Sequence, residues 1–206
     1  AINCGSTCSA MYNQGTVVTL TATPAAGSMF AGWSGGGCSG TGTCTVTMSA
    51  DQAVVATFTA VHTLSVTRAG SGTGTVSSSP AGIDCGTTCS AAFAQGTIVT
   101  LTAVPDGNST FTGWSGGGCS GTGTCTVTMS SDQSVTATFT AIQHTLTVSK
   151  NGTGSGTVTS SDGEINCGST CSAMYNQGSG VTLTASAPVG SVFAGWSGAC
   201  SGTNPT

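Results

Sequence analysis

Charge is nearly missing from this sequence. Of 206 residues, 2 are Lys or Arg and 6 are Asp or Glu, 4% in all, where an ordinary soluble domain has roughly a quarter. Nucleic acid is held by clustered Lys and Arg, and here Arg68 and Lys150 stand alone and far apart. Nucleic-acid binding is excluded on that ground, as is attachment to a membrane surface through basic residues. Long apolar runs are missing too. Thr, Ser or Gly interrupts them every few positions, so none reaches the ~18 residues of a spanning helix, and membrane insertion is not expected. Nor does any stretch of ten or more residues keep the apolar spacing of a helix, although SAMYNQG (Ser9–Gly15) reads as one short turn.

The usual chemistry of active sites is equally sparse. Two histidines, His62 and His144, sit at equivalent repeat positions and give no Ser-His-Asp set a distinctive spacing. They read as surface or packing residues between repeats. Paired carboxylates of the glycosidase kind are absent. The CxxxC and CxxxxxC spacings have neither the CxxC pairs nor the histidines of zinc sites. Calcium loops need several carboxylates close together; only Asp162 and Glu164 approach that, and Asp51 and Asp132 read as turn residues. The expectation is a protein that is not an enzyme and has no cofactor and no metal.

What the sequence has instead is Gly (33), Cys (11) and abundant Thr, Ser and Val. Disorder would require few β-branched residues and high net charge, whereas Thr and Val abound and the formal net charge is -4. Order shows itself as repetition. CGSTCSAMYNQG at Cys4 returns as CGTTCSAAFAQG at Cys85 and again as CGSTCSAMYNQG at Cys167, at offsets of 81 and 82. The GW pair recurs at Trp33, Trp114 and Trp196 with the same offsets, and HTLSV at His62 returns as HTLTV at His144. The chain therefore divides into 1–61, a partial repeat lacking its first strands; 62–143, a complete repeat; and 144–206, a partial repeat lacking its last strands. It is expected to be a window on a longer array, a mature segment whose targeting sequence is removed or lies outside it.

Within a repeat, GTVVTLTATP and GTIVTLTAVP alternate small apolar residues with Thr, the period of a strand with one buried face, which puts Val18, Leu20 and Ala22 inside. The same alternation marks TCTVTMS (Val127, Met129), SVTATF (Val135, Ala137, Phe139) and HTLSV (Leu64, Val66). Proline, Gly-rich stretches and the SADQ and SSDQ segments supply the turns. The fold class is all-β: tandem modules of about 81 residues, each with about five short strands, strung as beads.

Such small modules commonly need covalent staples. Four cysteines allow three pairings. The tightest local choice joins Cys85 to Cys89 and Cys119 to Cys125, repeated as Cys4 with Cys8, Cys38 with Cys44 and Cys167 with Cys171. Residues four apart in a strand are ~13 Å apart, beyond the reach of a bridge, so this pairing requires CGTTC to turn. Cys200 is left over, its partner position falling where the sequence stops. Cysteine at this density points to an oxidising, extracellular or cell-surface location.

GTxVTLTATPAAGSxFxGWSG followed by CTVTMSxDQSVTATF resembles the divergent internalin B-repeat family, found in tandem on secreted and surface-anchored bacterial proteins. The likeness covers essentially the whole chain, with the cysteine pairs as a subgroup feature. It implies β-grasp-like or related sheet modules that act as stalks, spacers or adhesive arrays without catalysis. The near absence of charge and the His at each strand start depart from the family pattern.

Trp33, Trp114 and Trp196, each between Gly and Ser-Gly in a repeat poor in large side chains, read as core, with Phe30, Phe111 and Phe193 as neighbours. The rival is a row of tryptophans stacking on sugar rings. Asn108-Ser109-Thr110 and Asn151-Gly152-Thr153 match the N-glycan acceptor pattern, which is short enough to arise by chance. Uncharged β-units do little to suppress association. The leading expectation is thus an extracellular tandem-repeat stalk or self-assembling fibre whose partner is itself. Its alternatives are an adhesin or polysaccharide-binding array, in which Tyr12 and Tyr175 join the tryptophans, and an accessory region of a larger secreted enzyme.

Overall fold

A computed structural model describes residues 1–206. It contains strands and no helix. The first repeat forms β1 (Val17–Leu20), β2 (Ser28–Ser34), β3 (Cys44–Thr47) and β4 (Val55–Ala69), the last running on into the second repeat. That repeat adds β5 (Gly74–Ser79), β6 (Ser90–Ala94), β7 (Ile98–Pro105), β8 (Ser109–Ser115), β9 (Cys125–Thr128) and β10 (Gln133–Ala141). The third forms β11 (Gln143–Thr147), β12 (Thr157–Ser160), β13 (Ser172–Asn176) and β14 (Leu183–Ser186). The fold is all-β. The second repeat holds seven strands, β4 to β10, where alternation announces about five. The extra ones have weak signatures: β5 has a single Val among Gly, Thr and Ser, β6 is mostly Ala, and β8 has Gly113 in its middle. SAMYNQG and its counterpart make no helical turn. They form β6 and β13 where a neighbouring strand is present, with Ala91 and Phe93 turned inward in β6.

By contacts the chain forms two compact units. One is Ala1–Thr67, Val76–Thr102 and Trp114–Thr136; the other is Arg68–Thr75, Ala103–Gly113 and Ala137–Thr206. In the first unit β2 pairs antiparallel with β4, β4 with β6, β1 with β3, and Ile98–Leu101 of β7 with β9. Its core is built from the alternate positions of these strands: Leu64, Val66, Val76, Val99, Leu101, Val127, Met129 and Val135 are buried, as are Trp33, Val46 and Trp114. Thr occupies the outward positions, where its branched side chain suits a pleated surface.

The pairing of β2 with β4 slips between Phe30 and Gly32, leaving Ala31 as an extra residue. In a regular strand Phe30 and Trp33 would face opposite ways. The bulge restores parity: Phe30 stands opposite Phe58 and Trp33 opposite Ala56, so both aromatics enter the same core with ring centroids 5.0 Å apart. Gly32 makes this possible at φ 142°, and Gly113 and Gly195 repeat it at 147° and 142°.

In the second unit β11 pairs with β13 and β12 with β14 around Val148, Val158, Ile165, Cys167 and Ala185. The glycine loop between β4 and β5 is pressed onto the strand bearing Phe139. A Cβ on Gly72 would lie 2.6 Å from the carbonyl carbon of Thr140, and one on Gly74 2.3 Å from the ring of Phe139. The Gly72 N–H donates to the Phe139 carbonyl at 3.0 Å. These glycines serve close approach rather than turning alone, and Phe139 is fully buried. In the third repeat the counterpart of Gly72 is Gly154, whose Cβ would meet only the Ser191 side chain, at 3.3 Å from Oγ.

Gly72→Ala should therefore cost about 1–3 kcal/mol of stability, while Gly154→Ala stays within about 0.5 kcal/mol of the parent, as surface changes do. Urea denaturation followed by tryptophan fluorescence measures both. Equal losses would show that the close approach is not what these glycines serve.

Candidate functional site

Three local constructions recur along the chain: a loop closed beneath each tryptophan, a disulfide turn, and the joint where one repeat passes into the next.

The tryptophan loop begins at the bulge. The backbone N–H of Trp33 donates to Gly40 O at 2.9 Å, and its indole Nε1–H donates to Gly42 O at 2.7 Å. Cys38 and Cys44, Cα atoms 5.4 Å apart, are bonded and close the loop that carries this acceptor. Trp114 repeats the arrangement with Gly121 O at 2.9 Å, Gly123 O at 2.7 Å and a Cys119–Cys125 bond. Trp196 donates to Gly202 O at 2.8 Å and from its indole to Asn204 O at 2.9 Å. The loop after Trp196 is one residue shorter before its cysteine, and Cys200 is exposed and unbonded. Trp33 and Trp114 are buried; Trp196, Phe30, Phe111 and Phe193 are half-buried. Phe193 meets Trp196 edge-on at 5.0 Å, and Phe111 packs on Phe139 at 5.3 Å. The polar edge of every indole is thus engaged inside its own repeat.

The disulfide turns are CGSTC and CGTTC. In the second repeat the Asp84 carbonyl accepts from the N–H groups of Gly86, Thr87 and Thr88 at 2.9, 3.0 and 2.7 Å. The chain curls tightly enough to bring Cys85 and Cys89 within 4.4 Å at Cα, and they are bonded. Asn3 and Asn166 are the acceptors in the other two, with Cys4–Cys8 and Cys167–Cys171 bonded at 4.3 Å. The N–H of Cys85 donates to Val76 O at 2.6 Å and that of Cys167 to Val158 O at 2.7 Å, so the turns of the second and third repeats are tied to the strands that precede them.

The joints show how the repeats are coupled. At the first, Val61 donates its N–H to Gly27 O of the first repeat at 3.0 Å, while Ala60 O accepts from Gln95 of the second at 2.8 Å. Between them β4 runs through without a break. His62 lies here, its Nδ1 3.8 Å from the Asp132 carboxylate, which accepts the Thr63 N–H at 2.8 Å. At the second joint Ile142 donates to Asn108 O at 2.9 Å and accepts from Gln177 N–H at 2.7 Å. One residue, Gln143, is inserted before His144. It accounts for the offset of 82 rather than 81 and for the interruption between β10 and β11. Its carboxamide donates to Asn176 Oδ1 at 3.0 Å, and His144 Nε2 faces Gln177 Oε1 at 3.3 Å. Asn108, one of the glycan-pattern residues, uses its carboxamide oxygen to accept from Gln177 Nε2 at 3.2 Å. Asn151, the other, is exposed in the glycine loop of the third repeat. The joints escaped the sequence reading, although the step from 81 to 82 was their signal.

Asp162 caps a turn. Its carboxylate accepts from the Ser160 hydroxyl, from the Glu164 N–H at 3.2 Å and from the Tyr175 hydroxyl at 3.4 Å. The Ser160 hydrogen bond above all holds its pKa below the ordinary carboxylate value. No group of three or more His, Cys, Asp or Glu side chains comes together.

Two outcomes follow from this geometry. Trp114→Phe strands the Gly123 carbonyl and should cost about 1–3 kcal/mol. Opening Cys119–Cys125 by paired Ser substitutions should cost about 2 kcal/mol. Because both act on one loop, the combined variant should lose less than the sum in a denaturation cycle; strict additivity would refute the coupling. A lowered carboxyl pKa stabilises the fold at pH above its unfolded value, and this is lost as pH falls through the folded value. An acid titration of the third repeat's amide signals should therefore show a small loss that Asp162→Asn abolishes.

No match was found among curated proteins or solved structures. The family model described as the divergent InlB B-repeat domain matches three times, over residues 2–62, 62–143 and 146–206. With nearly every residue inside one of these tandem matches, the chain belongs to the divergent InlB B-repeat family.

Proposed function

We propose that this chain is an extracellular, non-catalytic structural element, a stalk or self-assembling surface fibre whose principal partner is another copy of itself. The observation that carries the reading is the first joint, where β4 passes from one repeat into the next as a single strand of 15 residues held to both. Tension along the backbone there meets a hydrogen-bonded ladder instead of a flexible linker. Five disulfides, all within single repeats, support it further, because such bonds persist in oxidising compartments and each removes freedom from a turn that load would otherwise open. The family's occurrence on bacterial surface proteins agrees with such a location. Lateral contact is favoured by what stands outside: Val17, Val55, Ile98 and Met174 are exposed on strands with almost no charge to repel a neighbour.

Electron microscopy of the native material tests this. The expected image is a fibre or rod whose axial spacing is a multiple of one repeat. Isolated strings of freely jointed beads at high protein concentration would contradict self-assembly and leave only a spacer.

A further inference from the structure

In the complete second repeat the chain covers the edges of its own sheets, with one exception. β5 is covered by the disulfide turn: Val76 O accepts the Cys85 N–H at 2.6 Å, and Ser78 donates its N–H to Ile83 O at 3.0 Å. β8 is covered by the tryptophan loop, through the bond from Trp114 N–H to Gly121 O at 2.9 Å. β9 is only four residues long, and Ser130 turns back to donate to Thr128 O at 2.9 Å. β6 has β4 on one side and no strand on the other. Gln95 N–H donates to Ala60 O and Val66 N–H to Cys89 O, so by antiparallel alternation the bonded pairs between them are His62 with Phe93 and Leu64 with Ala91. The main-chain groups of Ser90, Ala92 and Ala94 therefore point away from β4. Of these only Ala94 O is engaged, by the Thr97 N–H at 3.0 Å. The usual guards of an open edge are lysine, proline or a bulge; SAAFA has none of them. β13 repeats the condition. It pairs with β11 alone, Ser172, Met174 and Asn176 take the outward places, and Ser179 N–H engages Asn176 O at 3.0 Å.

We propose that β6 is a docking edge, and that its occupant is β6 of a second copy of the chain, paired antiparallel about a two-fold axis through Ala92. This rests on the self-assembly reading above and names its surface. The free groups specify the occupant. In that register Ala92 N–H of each copy donates to Ala92 O of the other, and Ala94 N–H of each donates to Ser90 O of the other, so the pairing does not call on the engaged Ala94 carbonyl. The outward side chains are Ser and Ala, small enough for two such backbones to lie side by side, and β6 carries no ionisable group to repel its own copy. Main-chain bonds supply the affinity, as in other strand-addition interfaces. The contact uses the same surface on both copies and joins chains laterally. It is weak alone, with so few bonds. β13 offers the same free groups, with Met174, 63% exposed, in the place of Ala92; contact repeated in this way adds along an array.

The test uses the whole chain carrying Cys200→Ser, which removes the free thiol. By sedimentation it should associate in a concentration-dependent way. Ala92→Lys with Met174→Lys sets like charges opposite each other and should weaken association roughly tenfold or more. Ala92→Pro with Met174→Pro deletes N–H groups that point away from the repeat, a change edge strands tolerate, and should do the same; tryptophan fluorescence checks that each variant folds. In the same background Ala92→Cys should cross-link to its own copy on mild oxidation, since bonded cross-strand residues lie about 5.5 Å apart at Cα, within reach of a disulfide. Thr126→Cys, on β9, should not. Association unchanged in folded variants, or cross-linking no better at position 92 than at position 126, would overturn the β6 edge while leaving the fibre reading intact. A chain that stays monomeric at every concentration would overturn both.

Discussion

Strand order in this repeat is lent by the neighbouring strand. The first repeat, here without the strands that open the complete one, buries only Trp33, Cys44 and Val46 in its core cluster. It has no reserve of hydrophobic contact with which to hold an unpaired segment. Ladder hydrogen bonds and the parity of side chains they enforce must do that. INCGSTCSAMYNQG, strand in one setting and irregular in another, exposes this dependence directly. So does Phe58, open where Phe139 is sealed.

The remaining devices compensate for the same poverty of side chains. Every tryptophan is fixed by an indole hydrogen bond to a loop, Trp33 and Trp196 also by ring contact with a Phe, and in the first two repeats a disulfide closes that loop. The bulge at Gly32 brings a second aromatic to the first. The short disulfide loops contribute only about 2 kcal/mol each. Their effect is local: they decide where the chain turns and hand the following strand to its partner in register. At the joints the same economy holds, with one residue, Val61 or Ile142, bonded to the repeat before it while Ala60 or Ile142 bonds the repeat after it.

Much of this was legible in the residues. The period stood out in CGSTC, GW and HTL, and the all-β class followed from alternating Thr and Val. The strands that alternation missed share a cause. β6 and β13 are written mostly in Ala, Ser, Met and Asn, each with one β-favouring aromatic, Phe93 or Tyr175, and owe their state to β4 and β11. The bulge was hidden because a period of two sends Phe30 and Trp33 apart, and only the inserted Ala31 reunites them. Gly70, Gly72 and Gly74 look like turn residues in sequence; that they lie on Phe139 is a tertiary fact. The joint was the one omission with a written signal, since Gln143 shifts the register of every landmark after it.

Hydrogen exchange on the dilute, monomeric chain tests the claim that the partner makes the strand, because the identical segments are distinguished by their flanking residues. The account predicts protected amides across Ala173–Asn176 and fast, unstructured exchange across Ala10–Asn13. Equal protection of the two would mean that the segment carries its own order, and would contradict it.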